Sequence, residues 1–409
     1  MIEFHNCKLC ITLIAQSPMI HFQADSYGAT LRGSELKPKL DRFLNNKIKE
    51  LSNKGEIDKK ELSYIDKEKG ALKYKVTIQE KGQGSEYNLF ENRKAFGIIY
   101  GNRNKTLLLR NCELTILCMN PILQKLIEDY LVEFFAVTNF GYMQNKGFGS
   151  FMPLEYLQEK KNIEKDVSKW LKNKCGAKAC YYMDFPNMVK KDVVSYEVYF
   201  RAIKDSYDYL KTGRNSNGYS KAYIYQYMHM KGIDNEKAWM KANGIAPALK
   251  KTQGGRIRDY RENQNKKENA RYVKALLGIA PKVEYLNACE NNYSEKVLVK
   301  IKEESKNIER MDSPIFFKII ENYVFICAER IPDEIYGKKF VFSGNVKHPR
   351  DPRKRSNFLA IEEGREKRKS LMVPTKRELE AVGFTIDELL EKYVGYYNDN
   401  KKGKTIKKC

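Results

Sequence analysis

No uninterrupted apolar run in this chain reaches ten residues, which excludes a membrane-spanning helix. The opening MIEFHNCK lacks the basic-then-apolar order of a signal peptide, so the chain reads as an intracellular, cytoplasmic protein with no membrane partner. Histidine is scarce, with His5, His21, His229 and His348 making up the whole supply. The nine cysteines are dispersed, which suits a reducing compartment better than a disulfide scaffold. Cys7 and Cys10 stand at C-x-x-C spacing, but in a strand an offset of three points them to opposite faces. Cys175 and Cys180 form a looser pair without a histidine. No metal and no cofactor is expected; a four-cysteine zinc site built from both pairs is the alternative. Acidic charge is also in short supply. With 52 acidic against 75 basic residues the chain carries a formal +23, and a field of that sign concentrates polyanions, with nucleic acid or an anionic membrane surface the usual partners.

At 409 residues the chain is long enough for two or three domains. Cys7 to Ile14 and Met19 to Phe22 read as strand, and Ser34 to Leu44 places Leu36, Leu40, Phe43 and Leu44 on one helical face. Ile98 to Tyr100 and Thr106 to Cys118 read as strands. Pro121 then opens a second helix whose apolar stripe runs from Leu123 to Phe135. The order strand, helix, strand, strand, helix, strand predicts an α+β fold, a ferredoxin-like domain over residues 1–158 with a polar loop inserted at 47–94. A helical region follows over 159–290, where Tyr196, Tyr199, Phe200, Ile203, Tyr207 and Leu210 recur at three-and-four spacing. Residues 291–409 form a C-terminal β-containing half with a basic loop and terminal helices. Its Ser313-Pro314-Ile315-Phe316 echoes Ser17-Pro18-Met19-Ile20, suggesting a second, degenerate ferredoxin-like half. Thr375 with Glu378 and Thr385 with Glu388 are spaced as capping boxes.

Two segments carry the candidate chemistry. In the loop NFGYMQNKGFGSF, Gly141, Gly147 and Gly149 permit positive φ and close approach to a phosphate, while Lys146 and nearby amides, Ser150 among them, supply charge and donors around Phe148. A plain hairpin turn would use the same residues. Arg32, Lys37, Lys39 and Arg42 sit at or just inside a helix start, where helix dipole and side-chain charge add in attracting phosphate; a solvated helix face is the other reading. Two basic tracts extend the list. Lys250 to Lys274, with Lys250, Lys251, Arg256, Arg258 and Arg261, holds nine cations among twenty-five residues, and Lys347 to Lys369, with Arg350, Arg353, Lys354 and Arg355, holds nine more. Charge of this density binds RNA or docks an acidic neighbour.

The run Ser17 to Leu44, with its Ala24-Asp25, Leu31-Arg32 and Ser34-Glu35-Leu36-Lys37 steps, together with the later Lys146-Gly147-Phe148-Gly149-Ser150, resembles the RAMP proteins of type III CRISPR systems. Among them it is most similar to the Cmr-module subunit found toward the guide RNA's 3′ end. The resemblance implies a guide RNA-binding, non-catalytic subunit of an antiviral ribonucleoprotein, with guide RNA, target RNA and other effector subunits as partners. Asp25 falls where backbone RAMP subunits carry a cleaving carboxylate, and His21 would be the base of a guide-processing nuclease; neither has a partner evident in the sequence. An endoribonuclease and a standalone RNA-binding RAMP protein are the two competing readings.

Overall fold

The computed structural model describes residues 2–20, 31–57, 70–88, 106–159, 162–188, 192–213, 221–243, 245, 249–251, 257–259, 269–288, 294–347, 368–400 and 404–409. In chain order, β1 (Lys8–Ala15) leads to α1 (Gly33–Asn53), β2 (Tyr74–Asn88), β3 (Thr106–Cys118), α2 (Pro121–Val137) and β4 (Phe151–Pro153). Then come α3 (Ile163–Cys175), β5 (Cys180–Asp184), α4 (Glu197–Tyr207), α5 (Tyr223–Met230), α6 (Glu236–Ala242), β6 (Lys282–Ala288) and β7 (Ser294–Glu303). The chain continues through β8 (Ile315–Ile320), β9 (Tyr323–Ala328), β10 (Lys339–Lys347), β11 (Arg368–Met372), α7 (Lys376–Ala381), α8 (Ile386–Asn400) and β12 (Lys407–Lys408). These elements make an α+β protein of two compact units. One comprises Met1–Ser206, Ile315–Glu329 and Val394–Cys409, and the other Tyr207–Pro314 and Arg330–Tyr393.

The first unit holds two antiparallel sheets, ordered β2-β3-β1-β4 and β8-β9-β5-β12. With the two-residue strand Met19–Ile20, which also pairs with β3, left out of the first, each sheet numbers its own strands 2-3-1-4. The second set is scattered because the other unit is inserted twice into it, between α4 and β8 and again between β9 and α8. β1 alternates as its sequence requires, burying Leu9, Ile11 and Leu13 while Lys8 and Cys10 face out. Against that buried face α1 lays Leu36, Leu40, Leu44 and Ile48, each such side chain being worth about 1.5–3 kcal/mol on removal from water. α2 starts as its sequence dictates: the Asn120 side chain accepts the Leu123 amide at 3.0 Å and Pro121 stands where no amide is needed.

Three expectations change here. Residues 47–94 are not wholly loop: α1 runs to Asn53, and Tyr74–Asn88 is a fifteen-residue strand paired with β3. Its pairing shifts between Lys81 and Ser85, and Gly82 takes φ 77° there, so the glycines mark a bulge inside a strand. The region 159–290 is not all helical either, because Cys180–Asp184 forms the first strand of the second sheet. The Ser313-Pro314 echo does not extend to the strands it introduces: Met19–Ile20 is a two-residue strand beside β1 on β3, whereas Ile315–Ile320 is a six-residue strand paired with β9. The expected strand at Ile98 to Tyr100 lies outside the described residues.

The tyrosine stripe is core. Tyr196, Tyr199, Phe200 and Ile203 are buried in the first unit, with Phe185 packed 4.6 Å from Tyr199 between ring centres. In the second unit the sheet β6-β7-β10-β11 is antiparallel, and Phe340 and Phe342 meet Tyr272 and Trp239 edge-on.

Candidate nucleic-acid interface

Residues 139–150 leave α2 and close back on the chain itself. Gly141, Gly147 and Gly149 all have positive φ, as glycine placement predicts. What they approach is protein. A Cβ on Gly149 would lie 1.9 Å from the Phe140 carbonyl oxygen, and one on Gly141 2.4 Å from that of Ile20. Five of the loop's amides are spent internally. The amide of Gly141 donates to Glu35 Oε1, Tyr142 to the Ile20 oxygen, Gly147 to Gln144, Gly149 to Pro18, and Ser150 to Ser17 Oγ. Ser17 Oγ in turn donates to the Gly147 carbonyl at 2.6 Å, and Ser150 Oγ to that of Ile319 at 2.6 Å.

The loop is also sewn to β8. Asn139, buried, donates from Nδ2 to the carbonyls of Gln144 and Phe317, and the Phe317 amide donates to the Asn145 oxygen. Phe148 stacks on Phe200 with ring centres 4.0 Å apart, and Lys146 Nζ lies 5.8 Å from the Phe317 ring centre. Gly141, Gly147, Phe148, Gly149 and Ser150 are all buried. Their reading as a phosphate cradle is therefore corrected: close approach is required, but by the chain to itself, with the amides of Gly141, Gly147, Gly149 and Ser150 already used.

α1 is joined to this loop by two side chains. Lys39 Nζ donates to Glu35 Oε1 at 2.9 Å, to the Asn139 carbonyl at 2.9 Å and to Gln144 Oε1 at 2.8 Å, and burial pushes its pKa below the usual lysine value against the pull of Glu35. Glu35 Oε1 thus serves both Lys39 and the Gly141 amide. Lys37 is committed as well, to Asp41 at 2.7 Å and the Leu72 carbonyl at 3.1 Å. Arg32 and Arg42 are the exposed cations of the expected set on this helix. The first helix and the glycine loop do meet, through Glu35 and Lys39, and of these the sequence reading named only Lys39. The missed signals are small: Ser17, Glu35 and Asn139 are polar residues set among apolar neighbours that have to be buried.

Models of two families match this chain, the Cmr1 N-terminal domain over residues 6–214 and the Cmr1 C-terminal domain over residues 219–408. The chain belongs to the Cmr1 family. It is accordingly a RAMP protein of the Cmr module of type III CRISPR systems. Among solved structures it is similar to the apo form of Cmr1 from Pyrococcus furiosus, at 11% identity and a TM-score of 0.38, over 80% of this chain and 89% of that one. No curated relative matches.

In Cmr1 terms the glycine loop and α1 fall in the N-terminal domain and both basic tracts in the C-terminal one. Lys250 and Lys251 belong to a short antiparallel hairpin, Leu249–Lys251 against Ile257–Asp259, in which Lys250 is registered opposite Arg258. Arg256, Arg261, Arg350, Arg353, Lys354, Arg355, His21 and Asp25 lie outside the described residues. Cys175 and Cys180 do come together, but with Cys327 and Cys409: Cys327 is registered opposite Cys180, and the Cys409 amide donates to the Cys180 carbonyl. Among the described residues no group of three or more His, Cys, Asp or Glu has the arrangement to hold a metal ion, and no helix is long and apolar enough to cross a membrane.

Proposed function

We propose that this Cmr1-family protein is a non-catalytic subunit that holds guide RNA, and neighbouring effector subunits, within a cytoplasmic type III CRISPR ribonucleoprotein serving antiviral defence. The observation that carries this reading is the formal +23 on a chain of this family. The strand order 2-3-1-4 in both sheets of the first unit supports two ferredoxin-like halves as the scaffold. Affinity should come from exposed cations such as Arg32 and Arg42 and from the two basic tracts, with the glycine loop acting as the internal strut that fixes α1.

Single-stranded RNA binding is expected to be steeply salt-dependent. If about six phosphates are neutralised, affinity should fall roughly three-hundredfold between 50 and 200 mM salt, at about 0.7 per phosphate on a single strand. A filter-binding slope near zero overturns the RNA reading, and sequencing the RNA that copurifies with the complex identifies it as guide or not.

Alanine at Asp25 or at His21 should leave RNA cleavage by the assembled complex unchanged, since catalysis by either would need a second acid or base beside it. Loss of cleavage on a gel with RNA binding intact would move the protein to the nuclease class.

A further inference from the structure

The sheet of the second unit has one apolar and one cationic face. β7 buries Val299, Ile301 and Glu303, and β10 buries Phe340 and Phe342 on the same side. With a two-residue period, Lys300 and Lys302 are turned to the opposite face. The register then sets a row across all four strands, Lys282 opposite Lys300, Lys300 opposite Ser343, and Ser343 opposite Arg368. Lys302 and Lys339 flank that row on the same face. Lys282, Lys302, Lys339 and Arg368 are exposed, Lys300 is half-buried and Ser343 is buried, so the row presents its cations rather than the serine hydroxyl. Against them stand Glu284, registered opposite Leu298 on that same face, and Glu304, already the acceptor of the Ser370 hydroxyl.

Two lysines directly opposite each other on neighbouring strands repel and weaken the sheet. Strands lie about 4.8 Å apart, so the backbones of Lys282 and Lys300 stand one strand spacing from each other, and Arg368 is two strands further on. We infer that this cationic face of the β6-β7-β10-β11 sheet is a binding site for the phosphodiester backbone of single-stranded RNA. Lysine is depleted from protein–protein interface cores, whereas lysine, arginine and serine hydroxyls are the usual partners of phosphate oxygens, which favours RNA over an acidic protein as the occupant. The chain between β10 and β11 carries the second basic tract, so that tract starts and ends at this sheet. The inference rests on the RNA reading above and adds to it a surface in the second unit.

The test compares full-length protein with a Lys282→Gln, Lys300→Gln, Arg368→Gln variant for binding of a uridine 20-mer across a salt series. With three phosphates no longer neutralised, the log–log salt slope should become shallower by about 2, since each phosphate neutralised on a single strand contributes about 0.7. A control variant, Lys54→Gln, Lys165→Gln, Lys169→Gln, removes the same charge from exposed positions on the first unit and should keep the parent slope. Equal slopes for parent and sheet variant overturn the inference while leaving the RNA reading intact, as does an equal reduction in the control. A parent that binds no RNA overturns both. A sheet variant that binds RNA normally but fails to assemble with other subunits makes the face a protein dock and also overturns it. Lys282→Glu alone adds a signature of opposite sign: pairing with Lys300 should raise the melting temperature while RNA affinity falls. A fall in both, or a rise in melting temperature with unchanged affinity, counts against the site.

Discussion

Gly149→Ala should destabilise the first unit by roughly 2–5 kcal/mol, combining left-handed backbone strain with forced overpacking. At φ 70° the added Cβ would meet the Phe140 carbonyl oxygen at 1.9 Å and its carbon at 2.7 Å, and backbone cannot swing aside as a side-chain end can. Nor can the two segments separate cheaply, because the Phe140 amide donates to the Gly149 carbonyl at 2.9 Å and the Gly149 amide to Pro18 at 2.9 Å. Two companions isolate the causes. Gly176 has φ 62° with nothing within 4 Å of its Cβ position, so Gly176→Ala should cost only the conformational strain, about 1 kcal/mol. Gly147→Ala should fall between, because its nearest neighbours are the flexible ends of Ile203 at 3.2 Å and Ile319 at 3.4 Å. Chemical denaturation of the three variants ranks them. If Gly149→Ala loses no more than Gly176→Ala, the close crossing of residues 140 and 149 is wrong.

That series also shows where sequence reasoning reached and where it stopped. Glycine at 141, 147 and 149 announces a backbone constraint, and the constraint is there. Whether the close neighbour is a phosphate or a carbonyl depends on Pro18, Ile20 and Phe140, and on Phe317 and Ile319 some 170 residues away, which no local pattern reveals. α2 was legible because Asn120, Pro121 and a continuous apolar stripe all agree. Both predicted caps at 375 and 385 form, the first with the full reciprocal pair.

β2 was missed because YKVTIQEKGQGSEYN pairs along one edge with a solvated outer face, so its polar half reads as loop. Its Glu80 and Glu86 both pair with Arg110 on β3, a cross-strand match visible only once register is known. The second sheet was missed for a topological reason. Its strands come from 180–184, 315–328 and 407–408, and the second unit separates them twice. The basic row on β6, β7, β10 and β11 was hidden for the same reason, since Lys282, Lys300 and Arg368 are dispersed in sequence and aligned only by pairing.

The sequence of β8, IFFKII, hides one further feature. Lys318 has no exposed surface, and its Nζ donates to the Thr138 carbonyl at 2.6 Å, where α2 ends. The negative end of the helix favours a cation there, but burial outweighs it, and the nearby charges of Lys174 and Lys39 add to the cost, so the pKa lies well below the ordinary 10.5. Below that depressed pKa both folded and unfolded chains carry the proton, and the full penalty stands. As pH rises from there to about 10.5, the unfolded chain holds a proton the folded chain has released, and stability climbs by about 1.4 kcal/mol per pH unit for this one group. Lys318→Met keeps the length of the side chain and removes the titration. Denaturation at intervals up to pH 10 should therefore show a rise in the parent, above the depressed pKa, that is shallower in the variant. Trp170 lies in the first unit and Trp239 in the second, so a Trp239→Phe background makes Trp170 fluorescence report the unit that holds Lys318. Parallel pH profiles for parent and variant would mean that Lys318 keeps its proton in the fold, and that the carbonyl of Thr138 and the end of α2 are enough to hold a buried charge.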